Sequence, residues 1–504
     1  SGDFTFTRGS NLSATRVNSS QLIEKGRENL LLQSNSFDTT WTNVNTTETS
    51  GQSGYDGTND AWLLSKSAAS ARIEQSVSQS GVLTFSVYAK AGTLNWIRLN
   101  VDTAWAFYDL ANGVVGSDIN NIVDHNIYDI GGGWYRCELV INLTASVCRI
   151  YPAQNDGDVG GTSGNIVIQD AQLELGLVAT DYIETTGTTA QAGILENTPR
   201  FDYSGGATCP SLLLEPSRSN SYLFSEPFQN EGSSGSVTYE AFNWAIGFVN
   251  CIKYGDNSTA RYRYGGSVAA STEYTLSAFV IMDDLSEPVI GGQSSGNDFT
   301  FVLGGTVHSN ANPSVNMGSN IWRVSVTATT TSSANVANNG ILKYTTQSSR
   351  GFRVVGLQLE AGSYPTSYIP TYGVSQTRAQ DDCRESSATS LIGQTEGTIY
   401  WEGSIVSVPA QGANIASFNY STSSSISLER QSNGTIRGRI WTGGAGVLDI
   451  VTLGSNYDGN VKIAFAYKSG DTTLYINGVQ IGTSSTAFAF GSALTEFNLG
   501  AGDV

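Results

Sequence analysis

Few residues of this sequence have the types and spacing that catalysis needs. The histidines are His125 and His308, and neither lies near a second ligand at the spacing of a zinc site or a catalytic triad. Residues 292–296 read Gly-Gln-Ser-Ser-Gly, which matches the Gly-x-Ser-x-Gly pattern of a serine nucleophile. The residues after them do not begin the helix that this motif requires, so the pattern predicts a Gly/Ser loop.

Glycoside hydrolysis would need two carboxylates placed across a cleft. The acidic pairs of the sequence lie in stretches typical of turns and linkers, and they are Asp156 with Asp158, Asp283 with Asp284, and Asp381 with Asp382. A later strand-like segment, 399–402, carries a single carboxylate, Glu402. We therefore predict that the protein is not an enzyme. One alternative is part of a depolymerising spike whose active site lies outside this sequence.

Tryptophans offer a different chemistry, the binding of sugars. An aromatic ring packs against the apolar face of a sugar, while amides and carboxylates take its hydroxyl groups. The candidate carbohydrate-binding residues lie beside polar neighbours and are Trp96, Trp105, Trp62 and Trp244. Those expected in the core lie in repeated or strand-like motifs and are Trp134, Trp322 and Trp401. In residues 105–108 alternate aromatics share one strand face, which fits an exposed face and a buried face equally.

Calcium is the cofactor that the sequence leaves open. Loops such as 155–158 (Asn-Asp-Gly-Asp) supply the oxygen ligands that Ca²⁺ prefers. Their spacing is not that of a complete calcium loop, so no residue is assigned as a metal ligand. The five cysteines are odd in number and unclustered, which predicts buried free thiols rather than disulfides or a zinc site.

Composition and charge describe the scaffold that must position these residues. The chain has 504 residues, of which 56 are glycine, 39% are hydrophobic and 14% are charged. That balance is typical of several all-β domains with thin cores. The net charge of −18 argues against nucleic-acid binding and favours neutral sugars over anionic ones. No apolar run approaches the ~20 residues that span a bilayer, so no membrane insertion is predicted.

An internal repeat organises most of the chain. Residues 22–29 align with 213–220, and at the same offset residues 84–88 align with 275–279. Apolar and polar residues alternate in these segments, as in strands with one buried face. The order of the aligned motifs predicts a duplicated module with a preceding arm.

Charged residues recur within the repeat. A Gln-Leu-Glu motif ends at Glu174 in the first copy and at Glu360 in the second, and Arg136 recurs beside an aromatic residue as Arg323. Charged residues repeated within strands usually form structural pairs. We therefore predict that they belong to the framework of each module rather than to a binding site.

These patterns define the expected domain organisation. Past Gly373 the repeat stops, and a strand-rich region of different character follows, with a hairpin on an Asn-Gly turn at 477–478. A last strand near 497–500 would be left unpaired, so we expect this third sandwich to be incomplete. The predicted units are an arm at 1–27, a first module at 28–186, a linker arm at 187–218, a second module at 219–372, a linker at 373–394 and a third sandwich at 395–504.

The arms and modules resemble a known class of proteins. Residues 4–10 and 14–24 are similar to openings of tail-fibre and other virion-surface proteins of bacteriophages, and so are residues 199–203 followed by 209–216. The two modules resemble the jelly-roll carbohydrate-binding domains of those proteins. The segments that carry this resemblance are 108–113, 133–136, 301–305 and 322–323. The hairpin at 474–478 resembles concanavalin-like or laminin-G-like lectin sandwiches.

The resemblance implies a fold and a function. The fold would be all-β, with tandem antiparallel jelly-roll sandwiches followed by a concanavalin-like sandwich. The function would be that of a non-enzymatic tail fibre, spike or head fibre on the virion surface, which attaches to host-surface glycans. Its partners would be other virion proteins and two further copies of itself in a homotrimer. A purely architectural decoration protein is the alternative.

Overall fold

The computed structural model describes residues 4–9, 12–119, 122–227, 237–256, 261–333, 337–405, 413–419, 423–454 and 457–500. In these ranges the chain forms antiparallel sheets, and its helices are the short 3-10 turns Ser204–Gly206 and Ala388–Ser390. No helix among these residues is long and apolar enough to cross a membrane. The prediction of an all-β protein built from antiparallel sheets is confirmed.

The first β-sandwich follows a short arm of small strands. The strands of the arm and of this sandwich are β1 (Thr5–Thr7), β2 (Thr15–Val17), β3 (Ile23–Lys25), β4 (Arg27–Asn29), β5 (Thr42–Val44), β6 (Thr46–Gln52), β7 (Ala61–Lys66), β8 (Arg72–Ala91), β9 (Trp96–Val101), β10 (Ala104–Asp109), β11 (Val114–Asp118), β12 (Asp124–Gly131), β13 (Trp134–Ala153), β14 (Asn165–Leu175) and β15 (Ala190–Ala192). Strands β8 and β13, each 20 residues long, pair along their length at the centre of a ten-stranded sheet with the order β11-β10-β9-β13-β8-β14-β7-β6, in which β12 also pairs with β13 and β5 with β8.

Alternation along β8 explains how this sandwich is filled. Leu83, Phe85 and Val87 are fully buried in the core between the layers. Thr84 and Ser86 point to the opposite face and are also buried. That face is covered by the segment after β14, because the hydroxyl of Thr84 donates a 2.9 Å hydrogen bond to the carbonyl of Gly176. The module therefore buries both faces of its central strands.

The second sandwich follows the linker arm. The strands of that arm and of the second sandwich are β16 (Phe201–Asp202), β17 (Ser211–Leu212), β18 (Arg218–Asn220), β19 (Thr238–Ala241), β20 (Asn250–Tyr254), β21 (Arg261–Tyr264), β22 (Glu273–Met282), β23 (Thr300–Leu303), β24 (Thr306–His308), β25 (Val315–Asn316), β26 (Ile321–Thr329), β27 (Gly340–Lys343) and β28 (Phe352–Ala361). One layer has the order β19-β20-β28-β22-β26-β25 and the other β21-β27-β23-β24.

The two sandwiches share their strand register at the aligned motifs. In the first, Thr84 of β8 lies between Val140 and Glu174 on the neighbouring strands. In the second, Thr275 of β22 lies between Thr327 and Glu360. Aligned residues therefore occupy equivalent strands, as the repeat predicts.

The repeated charged residues form the same bonds in both sandwiches. The buried carboxylate of Glu174 accepts hydrogen bonds from the Gln172 amide at 2.7 Å and from the backbone N–H and hydroxyl of Thr180 at 2.7 and 2.6 Å. In the second copy Glu360 accepts the same bonds at 2.7, 2.9 and 2.6 Å. These residues close the segment after the last strand onto the sheet, so they belong to the framework.

The second sandwich lacks one strand of the first. Between β8 and β10 the first sandwich inserts β9, whereas residues 283–299 of the second form no named strand. Strand β23 consequently pairs directly with β27. The hairpin of β9 and β10 is thus particular to the first sandwich.

The third sandwich has two layers around its own core. Its strands and those that lead into it are β29 (Gln376–Arg378), β30 (Asp382–Glu385), β31 (Glu396–Ile405), β32 (Ala413–Phe418), β33 (Ser425–Arg430), β34 (Ile436–Thr442), β35 (Ala445–Val451), β36 (Gly459–Lys468), β37 (Thr472–Ile476), β38 (Val479–Ser484) and β39 (Phe497–Leu499). Its layers are β1-β30-β39-β32-β33-β34-β35 and β31-β36-β37-β38. Its core takes in Ala388 and Ile392 from the predicted linker.

Strand pairing differs from expectation at one end of this sandwich. Strand β39 pairs with β30 on one side and with β32 on the other, so it is not the unpaired strand that the sequence predicts. Strand β1 of the arm pairs with the free side of β30. The arm thereby becomes an edge of the third sandwich.

A buried ionic cluster joins the arms and linkers. Arg200 pairs with Glu215 at 2.7 Å and with Asp381, and Arg8 pairs with the second oxygen of Asp381 at 2.8 Å. Arg378 lies 3.0 Å from Glu215. Burial opposes ionisation of Glu215, but its arginine neighbours outweigh it and lower its pKa to about 2. Segments distant in sequence are thereby fixed to one another by paired charges.

The arms also pack against the sandwiches of the same chain. The backbone N–H of Ile23 donates to the carbonyl of Ile246 at 3.0 Å, and Val17 joins a buried cluster with residues of the second sandwich. Within this chain the arms therefore cover surfaces of the sandwiches.

Candidate functional site

Two of the predicted sugar-binding tryptophans are buried. Trp62 is 8% exposed and Trp244 is 1% exposed. Trp62 shares a face of β7 with Leu64 and joins the first core, where its Nε1 donates a 2.9 Å hydrogen bond to the carbonyl of Asn35. Trp244 packs in a cluster with Val17 of the arm. The expected exposure is wrong for both, because strand alternation and a covering segment decide burial rather than polar neighbours.

The other two candidates lie on the outer face of the β9–β10 hairpin. Ile97 and Leu99 of β9, and Ala106 of β10, face the core. Because side chains alternate along a strand, Trp96 and Trp105 point to the opposite face. Both indoles are half-buried. The structure therefore leaves both predicted residues partly accessible on the outer side of this hairpin.

Register brings further residues to this surface. Strand β9 lies between β10 and β13, and its Arg98 is opposite Phe107 on one side and Tyr151 on the other. The next outward-facing position of β9, Asn100, is opposite Trp105 and Arg149. We call this surface the arginine–aromatic face and define it by Arg72, Glu74, Arg98, Trp105, Phe107, Arg149 and Tyr151.

Aromatic and guanidinium groups pack tightly on the arginine–aromatic face. The guanidinium carbon of Arg98 lies 3.9 Å from the centre of the Tyr151 ring and 6.0 Å from that of Trp105. Trp105 packs edge-on against Phe107, with ring centres 5.4 Å apart and an interplanar angle of 85°. Phe107 and Tyr151 are nearly buried, at 1% and 6% exposure. Trp105 is thus held in place by neighbours while part of its ring stays accessible.

Charges on this face are unequally paired. One carboxylate oxygen of Glu74 accepts hydrogen bonds from Arg72 at 2.8 Å and from Arg149 at 2.9 Å. Arg98 has no carboxylate within 4 Å among the described residues. Burial lowers the pKa of Arg98, Tyr151 opposes that shift, and the nearby charges of Arg149 and Arg72 add to it. Arg98 is therefore a partly buried cation without a carboxylate partner among the described residues.

Trp96 lies at the far end of the hairpin. Trp96 is opposite Asp109, whereas Trp105 is opposite Asn100, four residues further along β9. The two tryptophans are therefore separated by roughly 13 Å along the strand direction. A Cβ added at Gly116 would meet the Trp96 ring and the Asp156 carboxylate, each at 2.5 Å. Asp156 itself accepts hydrogen bonds from the backbone N–H and hydroxyl of Ser117, both at 2.7 Å. Trp96 therefore belongs to a neighbouring surface rather than to the row around Arg98.

The aromatic row is not repeated in the second sandwich. Strand β23 aligns with β10, and its Phe301 and Leu303 join the core together with Phe299, which precedes the strand. Thr300 and Val302 alternate with them and are also buried. Framework residues thus recur in both copies, whereas the aromatic residues of β9 and β10 occur in the first.

The residues considered for catalysis are engaged in ion pairs. Asp283 pairs with Lys253 and Arg353, and Asp284 pairs with Arg350 at 2.8 Å. In the loop at 292–296 the Asn297 amide donates to the Ser294 hydroxyl at 2.8 Å, as in a turn. Each of these groups has a structural partner in this arrangement.

Metal ligands do not converge in the part of the chain that the structure describes. No group of three or more histidine, cysteine, aspartate or glutamate side chains there is arranged to hold a metal ion. In the loop that suggested calcium, Asp156 binds Ser117, and Asp158 accepts a 2.6 Å hydrogen bond from the Gly160 backbone. Of the cysteines, Cys209 is exposed and the others are buried, all as free thiols.

A cleft lies between the arms, the second sandwich and the third sandwich. This cleft has a volume of about 1390 Å³, and its walls include Arg16, Asp202, Tyr400 and Trp401. Tyr400 is 58% exposed, and its hydroxyl donates a 2.7 Å hydrogen bond to Glu402. None of the four predicted tryptophans lines the cleft.

Family models and curated proteins were compared with this sequence. No family model matches this sequence, and no curated protein matches it either. The site is therefore argued from its own geometry.

Sequence reasoning missed the residues around Trp105. Arg98, Phe107 and Tyr151 come from three strands, and only strand register brings them together. The available signal was the alternation of 96–100 and 105–109 about a short turn, which indicates a hairpin and predicts that Arg98 and Phe107 share a face. No comparable signal links Tyr151 to that hairpin.

Proposed function

We propose that this protein is a bacteriophage virion-surface protein that attaches to host-surface glycans through the arginine–aromatic face of its first sandwich. The observation that supports this most is Trp105, a partly exposed indole held beside the guanidinium of Arg98. The resemblance of the arms and modules to tail-fibre and related proteins supports the location. The role is binding and display, without covalent chemistry.

The geometry suits the recognition of a sugar ring. Trp105 is fixed edge-on against Phe107, so little side-chain freedom is lost when a sugar stacks on it. Guanidinium groups of Arg98 and Arg149 beside it can donate to hydroxyl oxygens. One such shallow site has a dissociation constant on the order of a millimolar. Assembly as a homotrimer would multiply this weak contact.

A glycan array with a tryptophan variant tests the binding role. The intact protein is expected to bind a subset of bacterial surface glycans, and Trp105→Ala to lose that binding with unchanged circular dichroism. Trp441→Ala is the matched control, because Trp441 is also half-buried and lies 4.3 Å from the guanidinium carbon of Arg439, on the third sandwich. Equal binding by the two variants would overturn the assignment of the site.

Two further measurements separate the alternatives. Light scattering at micromolar concentration is expected to give the mass of a trimer, and a monomer would contradict the assembly. Particles that adsorb equally to cells stripped of surface polysaccharide would favour a purely architectural role. Release of reducing sugar from a bound polysaccharide would favour a depolymerising spike.

A further inference from the structure

The arginine–aromatic face carries a charge opposite to that of the whole chain. The net charge of the protein is −18. On this face Arg72, Arg98 and Arg149 are accompanied by one carboxylate, that of Glu74. Since salt screens exposed charges beyond about 8 Å at physiological ionic strength, a ligand seated on the face responds to these groups rather than to the distant acidic ones.

Within this group, Arg98 is the cation that remains for a ligand. Glu74 is shared by Arg72 and Arg149 through one oxygen, at 2.8 and 2.9 Å. Arg98 lacks a carboxylate partner among the described residues, and its guanidinium carbon lies 3.9 Å from the centre of the Tyr151 ring and 6.0 Å from that of Trp105. A guanidinium stacked on aromatic rings keeps its edge free for a planar, bidentate partner. A carboxylate has that geometry.

We propose that the arginine–aromatic face selects glycans whose sugars carry a carboxylate, as uronic acids do. The carboxylate would pair with Arg98 while the sugar ring stacks on Trp105. This inference rests on the proposed function and replaces the neutral sugar that the overall charge favours. An acidic glycan placed here supplies a carboxylate to a partly buried cation that has none among the described residues, whereas a neutral one does not.

The test is an array of bacterial surface glycans in which each carboxylated glycan is paired with its carboxyl-reduced form. We expect the wild-type protein to bind carboxylated glycans and to bind their reduced forms roughly 10- to 100-fold more weakly. Raising the salt concentration should weaken the binding of the carboxylated forms. Equal binding of both forms would overturn the proposal.

Variants at Arg98 locate the selectivity. Arg98→Met should lose the preference for the carboxylated form, and Arg98→Lys, which keeps the charge but not the planar fork, should retain part of it. The control is Arg439→Met, which removes a half-buried guanidinium beside Trp441 on the third sandwich. If Arg98→Met and Arg98→Lys, both folded, keep the wild-type preference, the proposal is wrong.

The outcome separates this inference from the proposed function. One outcome is that Trp105→Ala loses binding, while neither reduction of the carboxylate nor substitution of Arg98 changes it. That outcome would support glycan attachment and contradict selectivity for acidic glycans. Absence of binding to any glycan would remove both.

Discussion

Arg98 and Tyr151 lie directly opposite each other on β9 and β13, with the guanidinium carbon 3.9 Å from the centre of the ring. A cation this close to an aromatic face gains about 0.5–2 kcal/mol, and the gain is larger where water is excluded. Tyr151 is 6% exposed, so the pair is largely desolvated. The same guanidinium carbon lies 6.0 Å from the centre of the Trp105 ring, so side chains from three strands form one surface.

Neighbouring aromatic residues of β10 should differ sharply in their effect on stability. Phe107 is 1% exposed, and Phe107→Ala is expected to lower the free energy of unfolding by about 3–5 kcal/mol. Trp105 is half-buried, and Trp105→Ala should cost roughly 1 kcal/mol. Thermal unfolding of the two variants measures the difference. A Trp105→Ala protein that unfolds as readily as Phe107→Ala would show that the indole is a core residue.

The framework carboxylates should be equivalent in the two copies. Glu174→Gln and Glu360→Gln each place an amide N–H₂ among donors that need an acceptor, so each should cost about 2–4 kcal/mol. Urea titration measures both, and Glu184→Gln, at an exposed position, is the control. A large loss in one copy and none in the other would contradict a shared framework.

Asp170 should make stability fall as the pH rises towards neutrality. Burial, together with Asp60 and Asp56, raises the pKa of Asp170 to about 7, despite a 2.8 Å hydrogen bond from the Tyr55 hydroxyl. A carboxyl whose folded pKa is raised stabilises the fold fully below its unfolded value near 4. Its contribution is lost as the pH rises through 7.

Asp170→Asn isolates this contribution. Between pH 5 and 7.5 the free energy of unfolding of the wild type should decline by about 2 kcal/mol more than that of the variant. Guanidinium titrations at several pH values measure the two curves, in which the other titrating groups cancel. Parallel curves would show that the group titrates at its ordinary pKa in the fold.

The ionic cluster of the arms should depend on Asp381. Asp381→Asn leaves Arg8 and Arg200 buried with one carboxylate fewer, which is expected to cost about 3–5 kcal/mol and to expose the linkers to proteases. The matched control is Asp382→Asn, because Asp382 pairs with Arg384 at the surface and should cost under about 1 kcal/mol. Similar protease sensitivity of the two variants would contradict a structural role for the cluster.

Much of the fold follows from local sequence, and the site follows only in part. Alternation in 83–88 and the recurrence of Glu174 as Glu360 predict the paired strands and their framework, because both depend on neighbours a few residues away. Trp105 is predicted as a site residue because it is a tryptophan beside polar neighbours. Arg98 and Tyr151 are not predicted, since their contact depends on the register between β9 and β13, which no short motif encodes.

Burial of single side chains was the least predictable property. Trp62 has polar neighbours in sequence, but it alternates with Leu64 and so faces the core. Trp244 lies outside the named strands, and its cover includes Val17 from an arm more than two hundred residues away. Such long-range covering is set by the whole chain and leaves no trace beside the tryptophan itself.

The placement of β1 and β39 on either side of β30 has a mechanical consequence. Both strands are antiparallel to β30, and Thr5 lies opposite Arg384 while Leu499 lies opposite the adjacent Cys383. A force pulling those two residues apart would act mainly across the strands and would be carried by the hydrogen bonds of β30 to β1 and β39. While this group holds, the first two sandwiches lie outside the load path, and Trp105 and Arg98 keep their spacing under tension.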